Sequence, residues 1–221
     1  LVFEGAQGVL LDEWYGFHPH TTWSTVTPAN ALSLLEEARF DGEVEITGVL
    51  PTYATRHGTG PFPTESTTLA PLLNGEHNYV DTWQGSFRVG YFDGVMLRYA
   101  VECVKGAGIT NIALTHGDAF DKVDAIPFSD RYVVERTKVL RGVVKTSANS
   151  SAEVRRLAPS FSHDLTHQEA LTNLLSNVSA PVSGAFRKVE EVVDYIVTQT
   201  GIPVAYLSRG PKPSQKQECG G

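Results

Sequence analysis

The segment DGVMLRYAVECVKGAGITNIALTHGD, residues 93–118, determines the fold class that we predict for this chain. Asp93 is a candidate N-cap, and glycines at 106 and 108 mark the end of a helix before a β-prone run, residues 109–115. The apolar side chains in between recur at the i, i+3, i+4 and i+7 positions of one helix face: Leu97, Ala100, Val101 and Val104. The segment predicts a helix, a strand and then a polar loop.

A second segment, residues 185–211, repeats this order, with Gly201 between the helical pattern and a strand-like run, residues 202–207. Two such units predict an α/β fold: a mostly parallel, doubly wound sheet with helices on both faces. Residues 29–40 predict a further helix and residues 43–55 a strand. The less periodic residues 119–165 predict a small antiparallel appendage.

Composition narrows the class of protein. The chain has 221 residues, a formal charge of −7 and 41% apolar residues, which is typical of a globular protein and argues against nucleic-acid binding. No apolar run approaches the length of a membrane span. Two cysteines, Cys103 and Cys219, cannot form a disulfide framework, so we expect a cytoplasmic protein without a membrane partner.

The ends of the chain suggest how it is organised. The sequence begins with Leu1 inside an apolar run, which favours a fragment or one half of a split protein. We therefore expect a partial domain that lacks its N-terminal half. Residues 1–212 are predicted to form the C-terminal portion of that domain, and residues 213–221 a flexible tail.

Two polar loops follow the predicted strands, at residues 115–118 and 208–211. In parallel sheets ligands bind beyond the carboxyl ends of the strands, so these loops are candidate ligand sites. The carboxylate of Asp118 can accept hydrogen bonds from N1–H and the 2-amino group of guanine, a pair that adenine does not offer. On residue types alone, a simple loop cap is the alternative.

Other candidates lie near the N-terminus. In FEGAQG, residues 3–8, Gln7 can donate and accept hydrogen bonds, and the hydroxyl of Thr22 suits a sugar or a phosphate. A turn with satisfied polar groups is the alternative. Arg56, in the Gly/Pro-rich loop 55–65, could hold an anion or form a surface ion pair.

Histidines occur in two close pairs, but neither pair has the ligand spacing of a zinc site. The pairs are His18 with His20 and His163 with His167. We therefore predict no metal site. The sequence also lacks a Walker phosphate loop, a Gly-x-Ser-x-Gly elbow and a Cys-x-x-Cys motif. No catalytic residue is predicted within this chain.

Several blocks, taken in order, resemble the adenylosuccinate synthetase family: FEGAQGVLLD, TRHGTGPFPTE, GYFDGVMLRYAV, IALTHGDAFD and GIPVAYLSRGP. The resemblance spans residues 1 to about 212 and matches the C-terminal half of such a protein. It implies a ligase that uses GTP to join L-aspartate to IMP in purine biosynthesis. It also implies that the catalytic residues and the Mg²⁺ ligands lie in the preceding half, that this fragment alone is inactive, and that the whole protein is a homodimer.

The resemblance assigns roles to individual residues. It implies that IMP is bound by Gln7 and Thr22, and that GTP is bound by His116, Asp118, Ser208 and Gly210. The family's guanine motif Thr-Lys-x-Asp falls on residues 115–118, where His116 replaces the lysine. Histidine can still stack on a base or donate a hydrogen bond, but it lacks a fixed charge.

The loop that binds the amino-acid substrate departs most from the family. By resemblance it includes Thr82, Gly85 and Arg88, but Gly85 and Phe87 stand where the family has arginines. Each lost charged hydrogen bond costs about 1.5–3 kcal/mol, so aspartate binding should be weakened. Two alternatives stay open: the same ligase chemistry with a different amino donor or purine acceptor, and a guanine-nucleotide-binding module without catalysis.

Overall fold

A computed structural model describes residues 1–73, 83, 85–134, 144–145 and 153–219 of the chain. Within them lie the helices α1 (Ala29–Glu37), α2 (Ala70–Leu73), α3 (Gly94–Val104), α4 (Leu165–Leu175) and α5 (Val189–Thr200). The strands are β1 (Thr47–Pro51), β2 (Ala54–His57), β3 (Phe87–Gly90), β4 (Phe92–Asp93), β5 (Asn111–Thr115), β6 (Ile126–Ser129), β7 (Tyr132–Val133), β8 (Val144–Lys145), β9 (Glu153–Val154), β10 (Arg156–Leu157), β11 (Gly184–Phe186), β12 (Val204–Ser208) and β13 (Lys216–Glu218). The mixed α/β class is confirmed.

The largest sheet has the strand order β1-β5-β12-β13. Strands β1, β5 and β12 are parallel, and β13 runs antiparallel to β12. In register, Leu114 of β5 lies beside Leu50 on one side and Leu207 on the other. The prediction of a mostly parallel sheet is therefore confirmed, and the carboxyl ends of β5 and β12 lie at the same edge.

The other described strands form smaller sheets. Strand β6 pairs with β11 in antiparallel fashion and with β4 in parallel. Strands β2 and β3 form an antiparallel pair. Two short antiparallel pairs, β7 with β9 and β8 with β10, supply the predicted antiparallel appendage. Helices α3 and α5 contact each other, and the placement of helices on both faces of the sheet stays a prediction.

Helix α3 begins as the sequence predicts. The carboxylate Oδ1 of Asp93 accepts hydrogen bonds from the backbone amides of Val95, at 3.1 Å, and Met96, at 3.0 Å, as an N-cap does. The hydroxyl of Tyr132 donates to the other oxygen at 2.7 Å. After the helix, a short 3₁₀ turn ends at Gly108 with φ 75°, so β5 begins at Asn111, two residues later than predicted.

Helix α5 and strand β12 repeat the same construction. Gly201 ends the helix with φ 72°, a left-handed conformation that glycine adopts without strain. Val192 and Ile196 of α5 are completely buried, as is Leu114 of β5. These side chains share one hydrophobic core with Leu97 of α3. The core therefore fixes both helices relative to the strands whose loops carry the candidate site.

A second core forms around the remaining face of α3. Val95, Tyr99 and Cys103 pack there with apolar residues of α4, including Leu171. Buried Gln168 of α4 donates to the carbonyl of Glu13 at 3.1 Å, which ties the N-terminal loop to this core. Helix α3 thus connects the sheet to the N-terminal part of the chain.

The segment predicted to be a flexible tail contains secondary structure. Residues 213–215 form a 3₁₀ turn, and β13 pairs with β12 so that Lys216 lies opposite Ser208. The carbonyl of Gln215 accepts a bond from the Arg209 amide at 2.9 Å, and the carbonyl of Ala205 accepts one from Cys219 at 2.7 Å. The division of the chain at residue 212 stays a prediction. Among the described residues, no helix has the length and apolar character needed to cross a membrane.

Candidate functional site

The loops that follow β5 and β12 meet. A Cβ atom placed on Gly117 would lie 3.2 Å from the carbonyl oxygen of Ser208 and 3.2 Å from Cγ of Arg209. This close approach explains why a glycine is needed between His116 and Asp118. The 115–118 and 208–211 loops therefore lie together, whereas their ligand is not identified by this geometry.

His116 adopts a left-handed conformation, with φ 60°, which turns the chain sharply after β5. Its carbonyl accepts a hydrogen bond from the Thr52 hydroxyl at 2.8 Å, and its ring nitrogen Nδ1 lies 3.0 Å from the Thr115 hydroxyl. The ring of Tyr53 meets the imidazole edge-on, with 5.3 Å between centroids. Partial desolvation lowers the pKa of His116, so the ring is uncharged at neutral pH.

Asp118 lies in the first turn of a 3₁₀ segment, residues 117–121, with its side chain 28% exposed. The ammonium of Lys122, one turn later, is 3.4 Å from the carboxylate Oδ2. The carboxylate also contributes, after burial, to the raised pKa of Tyr53, so its charge faces that ring. The acid is therefore held at the rim of the loops, where a ligand can still reach it.

The opposite loop is closed by residues from the C-terminal segment. The hydroxyl of Ser208 donates to the carbonyl of Gly210 at 3.1 Å. The ammonium of Lys216 donates to the hydroxyl oxygen of Ser208 at 2.6 Å and also to the carbonyl of Gly210. Gly210 has φ 148° and packs under the side chain of Gln215. Sequence reasoning missed Lys216, because it treated residues 213–221 as a mobile tail.

Arg209 and Gly210 differ in what they can offer a ligand. The guanidinium of Arg209 reaches away to Glu190 of α5, at 2.9 Å. The carbonyl of Gly210 instead points toward the Ser208 hydroxyl and the Lys216 ammonium. Within the 208–211 loop, the polar groups of Ser208 and Gly210 therefore face each other and Lys216, whereas the guanidinium of Arg209 is paired with Glu190.

A second group of candidates surrounds the N-terminal loop. Gln7 is exposed and has φ 67°, and the amide of Thr22 donates to the carbonyl of Leu11 at 2.8 Å. The organiser of this loop is Asp12, which is 1% exposed. Its carboxylate accepts bonds from the amides of Trp14, at 2.8 Å, and Val26, at 2.7 Å. Sequence reasoning missed Asp12, although an acid directly after an apolar run is a signal for such a turn.

Arg56 is buried and bonded to backbone carbonyls. Its side chain is 8% exposed, and its guanidinium donates to the carbonyls of Thr59, at 2.9 Å, and His20, at 3.0 Å. Burial, followed by the charge of Arg88, lowers its pKa to about 10. Arg56 therefore fastens the histidine-containing segment 18–20 to the Gly/Pro-rich loop 55–65.

The predicted amino-acid loop lies against the same Gly/Pro-rich loop. Thr82 is outside the described residues. Gly85, with φ 77°, approaches Gly58 closely enough that an added Cβ would lie 3.5 Å from the Gly58 Cα. Arg88 donates to the carbonyls of Gly58, at 3.0 Å, and Gly60, at 2.8 Å, and it pairs with Glu65 at 2.9 Å. Its guanidinium is thus engaged within the protein.

The paired histidines have structural contacts. His20 bonds through Nδ1 to the Thr59 hydroxyl at 2.9 Å, and His18 lies 4.0 Å from Glu169. His163 stacks on Trp14 with 4.6 Å between centroids, and Nε2 of His167 lies 2.7 Å from the carbonyl oxygen of Ala158. In the part of the chain that the structure describes, no three histidine, cysteine, aspartate or glutamate side chains cluster as metal ligands.

Polar loops beyond the carboxyl ends of adjacent parallel strands are the general arrangement of nucleotide-binding α/β proteins. Within this class, comparison with known proteins is specific. The chain belongs to the adenylosuccinate synthetase family, whose sequence profile matches residues 1–217. It is 30% identical to the adenylosuccinate synthetases of Bdellovibrio bacteriovorus and Bacillus subtilis, in each case over 97% of this chain and 47% of theirs. The chain therefore spans about half the length of these relatives.

Solved structures have the same fold. Fully ligated adenylosuccinate synthetase from Plasmodium falciparum superposes with a TM-score of 0.70 and 20% identity, over 98% of this chain and 49% of that one. Cyanophage S-2L succinoaminodeoxyadenylate synthetase, bound to dGMP and dATP, gives a TM-score of 0.51 and 17% identity, over 97% of this chain and 45% of that one. At these identities the likeness concerns the fold alone.

Proposed function

We propose that this chain is the nucleotide-recognition portion of a GTP-dependent ligase that joins L-aspartate to IMP. Membership of the adenylosuccinate synthetase family supports the ligase class. The observation that supports the proposal is the close approach of Gly117, which directly precedes Asp118, to Ser208 and Arg209 at the ends of two adjacent parallel strands. An acid and a hydroxyl at this position suit a base that presents hydrogen-bond donors.

The guanine ring of GTP binds between the two loops in this proposal. The Asp118 carboxylate accepts N1–H and the 2-amino group, which is a bidentate contact with a charged acceptor. The uncharged His116 ring lies beside the base, and Ser208 and Gly210 border it from the opposite loop. Adenine lacks both donors, so the carboxylate would face its N1 lone pair and binding would be disfavoured.

The acceptor nucleotide and the amino acid bind elsewhere in the chain. Gln7 and Thr22 contact IMP, on the loop that Asp12 holds together. Thr82, Gly85 and Arg88 form the amino-acid loop. Since Arg88 already pairs with Glu65 and two carbonyls, gripping a carboxylate requires it to give up the Glu65 contact. Aspartate binding should therefore be weak.

Magnesium and the catalytic groups are assigned to a polypeptide equivalent to the other half of the relatives. The described residues include no cluster of metal-ligating side chains, so they do not fit a Mg²⁺ site. We derive no step of phosphoryl transfer for this chain. Its own residues bind and orient the nucleotides, and the whole protein is proposed to be a cytoplasmic homodimer.

A second candidate keeps the ligase chemistry and changes the substrates. Gly85 and Phe87 remove two positive charges from the amino-acid loop, and Arg88 is engaged within the protein. The cyanophage protein of the same fold was solved bound to dGMP and to dATP as an energy donor, which favours testing other nucleotides. Turnover of the complete protein with IMP and aspartate, compared with other amino donors and with dGMP, separates the two candidates. A third candidate is a guanine-nucleotide-binding module without catalysis.

Calorimetric titration of the 221-residue chain with GDP and ADP tests the guanine assignment. We expect GDP to bind, ADP to bind at least about tenfold more weakly, and Asp118→Asn to remove this preference, because charged hydrogen bonds contribute about 1.5–3 kcal/mol each. Asp121→Asn is the matched control, since Asp121 lies in the same 3₁₀ segment and is exposed. Equal preference in the wild type and in Asp118→Asn would refute the pocket assignment.

A further inference from the structure

Lys216 is an exposed residue whose ammonium is nevertheless fixed in place. It begins β13 and lies opposite Ser208 in the antiparallel register with β12. Two of its three N–H groups are directed at neutral oxygens, the hydroxyl of Ser208, at 2.6 Å, and the carbonyl of Gly210. Among the described residues the third N–H has no partner, so it is available to a ligand.

The charged groups around Lys216 belong to the two loops. Its charge and that of Asp118 both act on His116, lowering and raising the pKa of that ring respectively. Asp118 pairs with Lys122, and Glu190 pairs with Arg209. Within the described ranges, no ion pair joins Lys216 to a carboxylate. Within those ranges the ammonium therefore has no ionic partner, and strand pairing places Lys216 opposite Ser208, whose carbonyl lies close to Gly117 beside Asp118.

We propose that Lys216 reads the 6-oxo group of the purine that Asp118 binds. On guanine, O6 is next to N1–H, so an edge held by a carboxylate at N1–H needs a hydrogen-bond donor at its adjacent position. The free N–H of Lys216 is that donor. Adenine places an amino group there, and an ammonium cannot accept its hydrogen bond. This inference rests on the proposed function and adds a second determinant of guanine selectivity.

The structure explains why Lys216, and not His116, is proposed to supply the positive charge at O6 of the base. His116 is uncharged and directs Nδ1 at the Thr115 hydroxyl, so it supplies no fixed positive charge at the base. Strand pairing brings a lysine to the same region from a segment a hundred residues later in the chain. The alternative role for this ammonium is to occupy the Ser208 and Gly210 oxygens, so that a nucleotide must displace it. The two roles predict opposite effects of removing the charge.

The test is calorimetric titration of the chain and of Lys216→Met with GDP, inosine diphosphate and ADP. Inosine diphosphate keeps O6 and N1–H but lacks the 2-amino group. We expect Lys216→Met to weaken GDP and inosine diphosphate by the same factor, about tenfold or more, because both lose a charged hydrogen bond. The ratio between these two ligands should stay unchanged, and binding of ADP should not weaken.

Two controls make the result specific. Lys212→Met removes a charge from the same exposed segment and should leave GDP binding within about twofold, whereas Lys216→Arg should retain most of the affinity. A further test changes the ligand and not the protein. The analogue 6-thio-GDP should bind the wild-type chain more weakly than GDP, since sulfur is a poor hydrogen-bond acceptor.

Three results would overturn the inference: tighter GDP binding by Lys216→Met, an equal loss in Lys212→Met, or no difference between GDP and its 6-thio analogue. If the chain binds GDP through Asp118 and Lys216→Met leaves that binding unchanged, only this inference fails. If the wild type does not bind GDP, the proposed function fails as well.

Discussion

Asp93 shows how a single buried side chain can serve the fold and make it sensitive to pH. It caps α3 and accepts a bond from Tyr132, yet burial raises its pKa from 3.8 to about 6. The sequence predicts the cap, because the residue directly precedes an apolar periodicity. The pKa is not predictable from sequence, since it depends on burial beneath residues far along the chain.

We predict that Asp93 makes the stability of the chain fall between pH 3.8 and about 6. The folded state holds the proton more tightly than the unfolded state, so the stabilisation is complete below pH 3.8 and is lost as the pH rises through about 6. Asp93→Asn keeps a capping side chain without the charge. The free energy of unfolding of the wild type, relative to this variant, should fall by about 3 kcal/mol across that range.

Urea denaturation of both proteins at a series of pH values measures this difference. Asp124→Asn is the control, because Asp124 is exposed and its removal should leave the pH dependence unchanged. A difference between wild type and Asp93→Asn that is flat with pH would mean that the buried carboxyl does not titrate in this range.

The hydrogen-bond partners of Arg56 and Arg88 could not be predicted from the sequence. Arg56 is a ligand candidate because an arginine in such a loop suits an anion, whereas Arg88 is a candidate because the family resemblance implies it. Their partners are carbonyls of His20, 36 residues earlier than Arg56, and of Gly58, 30 residues earlier than Arg88. Such pairings follow from how the loops pack, so residue type alone does not reveal them.

At the scale of secondary-structure elements, the apolar spacing in the sequence predicts helices best where one helix face is buried. The spacing of α5 and its glycine stop give the element order directly, and Val192 and Ile196 are buried as the period requires. Strand β13 has no comparable signal, because Lys216–Glu218 is exposed and polar. Its strand character comes from pairing with the free edge of β12, a tertiary effect that the sequence does not contain.

Hydrogen exchange tests the pairing of β12 with the C-terminal segment. We expect the Arg209 amide to be protected, because it donates to the carbonyl of Gln215 at 2.9 Å, and to exchange at least about tenfold faster when residues 213–221 are deleted. The Ile112 amide, which bonds to the Pro203 carbonyl at 2.9 Å, is the internal control and should be unaffected. Equal exchange at Arg209 with and without the segment would contradict this pairing and support the flexible-tail prediction.

At the scale of the whole molecule, the proposed function assigns nucleotide recognition to this chain and catalysis to a second half equivalent to the rest of its relatives. The chain aligns with 46–48% of the length of its relatives, and it carries the loops that are proposed to bind bases and sugars but no cluster of metal ligands among the described residues. On this proposal, base selection is measured on this chain alone, and turnover is measured with the complementary half present.

The central claim is that the Asp118 carboxylate selects guanine. The most direct test compares the binding of GDP and xanthosine diphosphate, measured as the ratio of their dissociation constants, in the wild type and in Asp118→Asn. Xanthine carries an oxygen where guanine has the 2-amino group. The wild type should prefer GDP, and Asp118→Asn should prefer xanthosine diphosphate, because the asparagine amide can accept N1–H and donate to that oxygen. A ratio unchanged by Asp118→Asn would show that this carboxylate does not read the base.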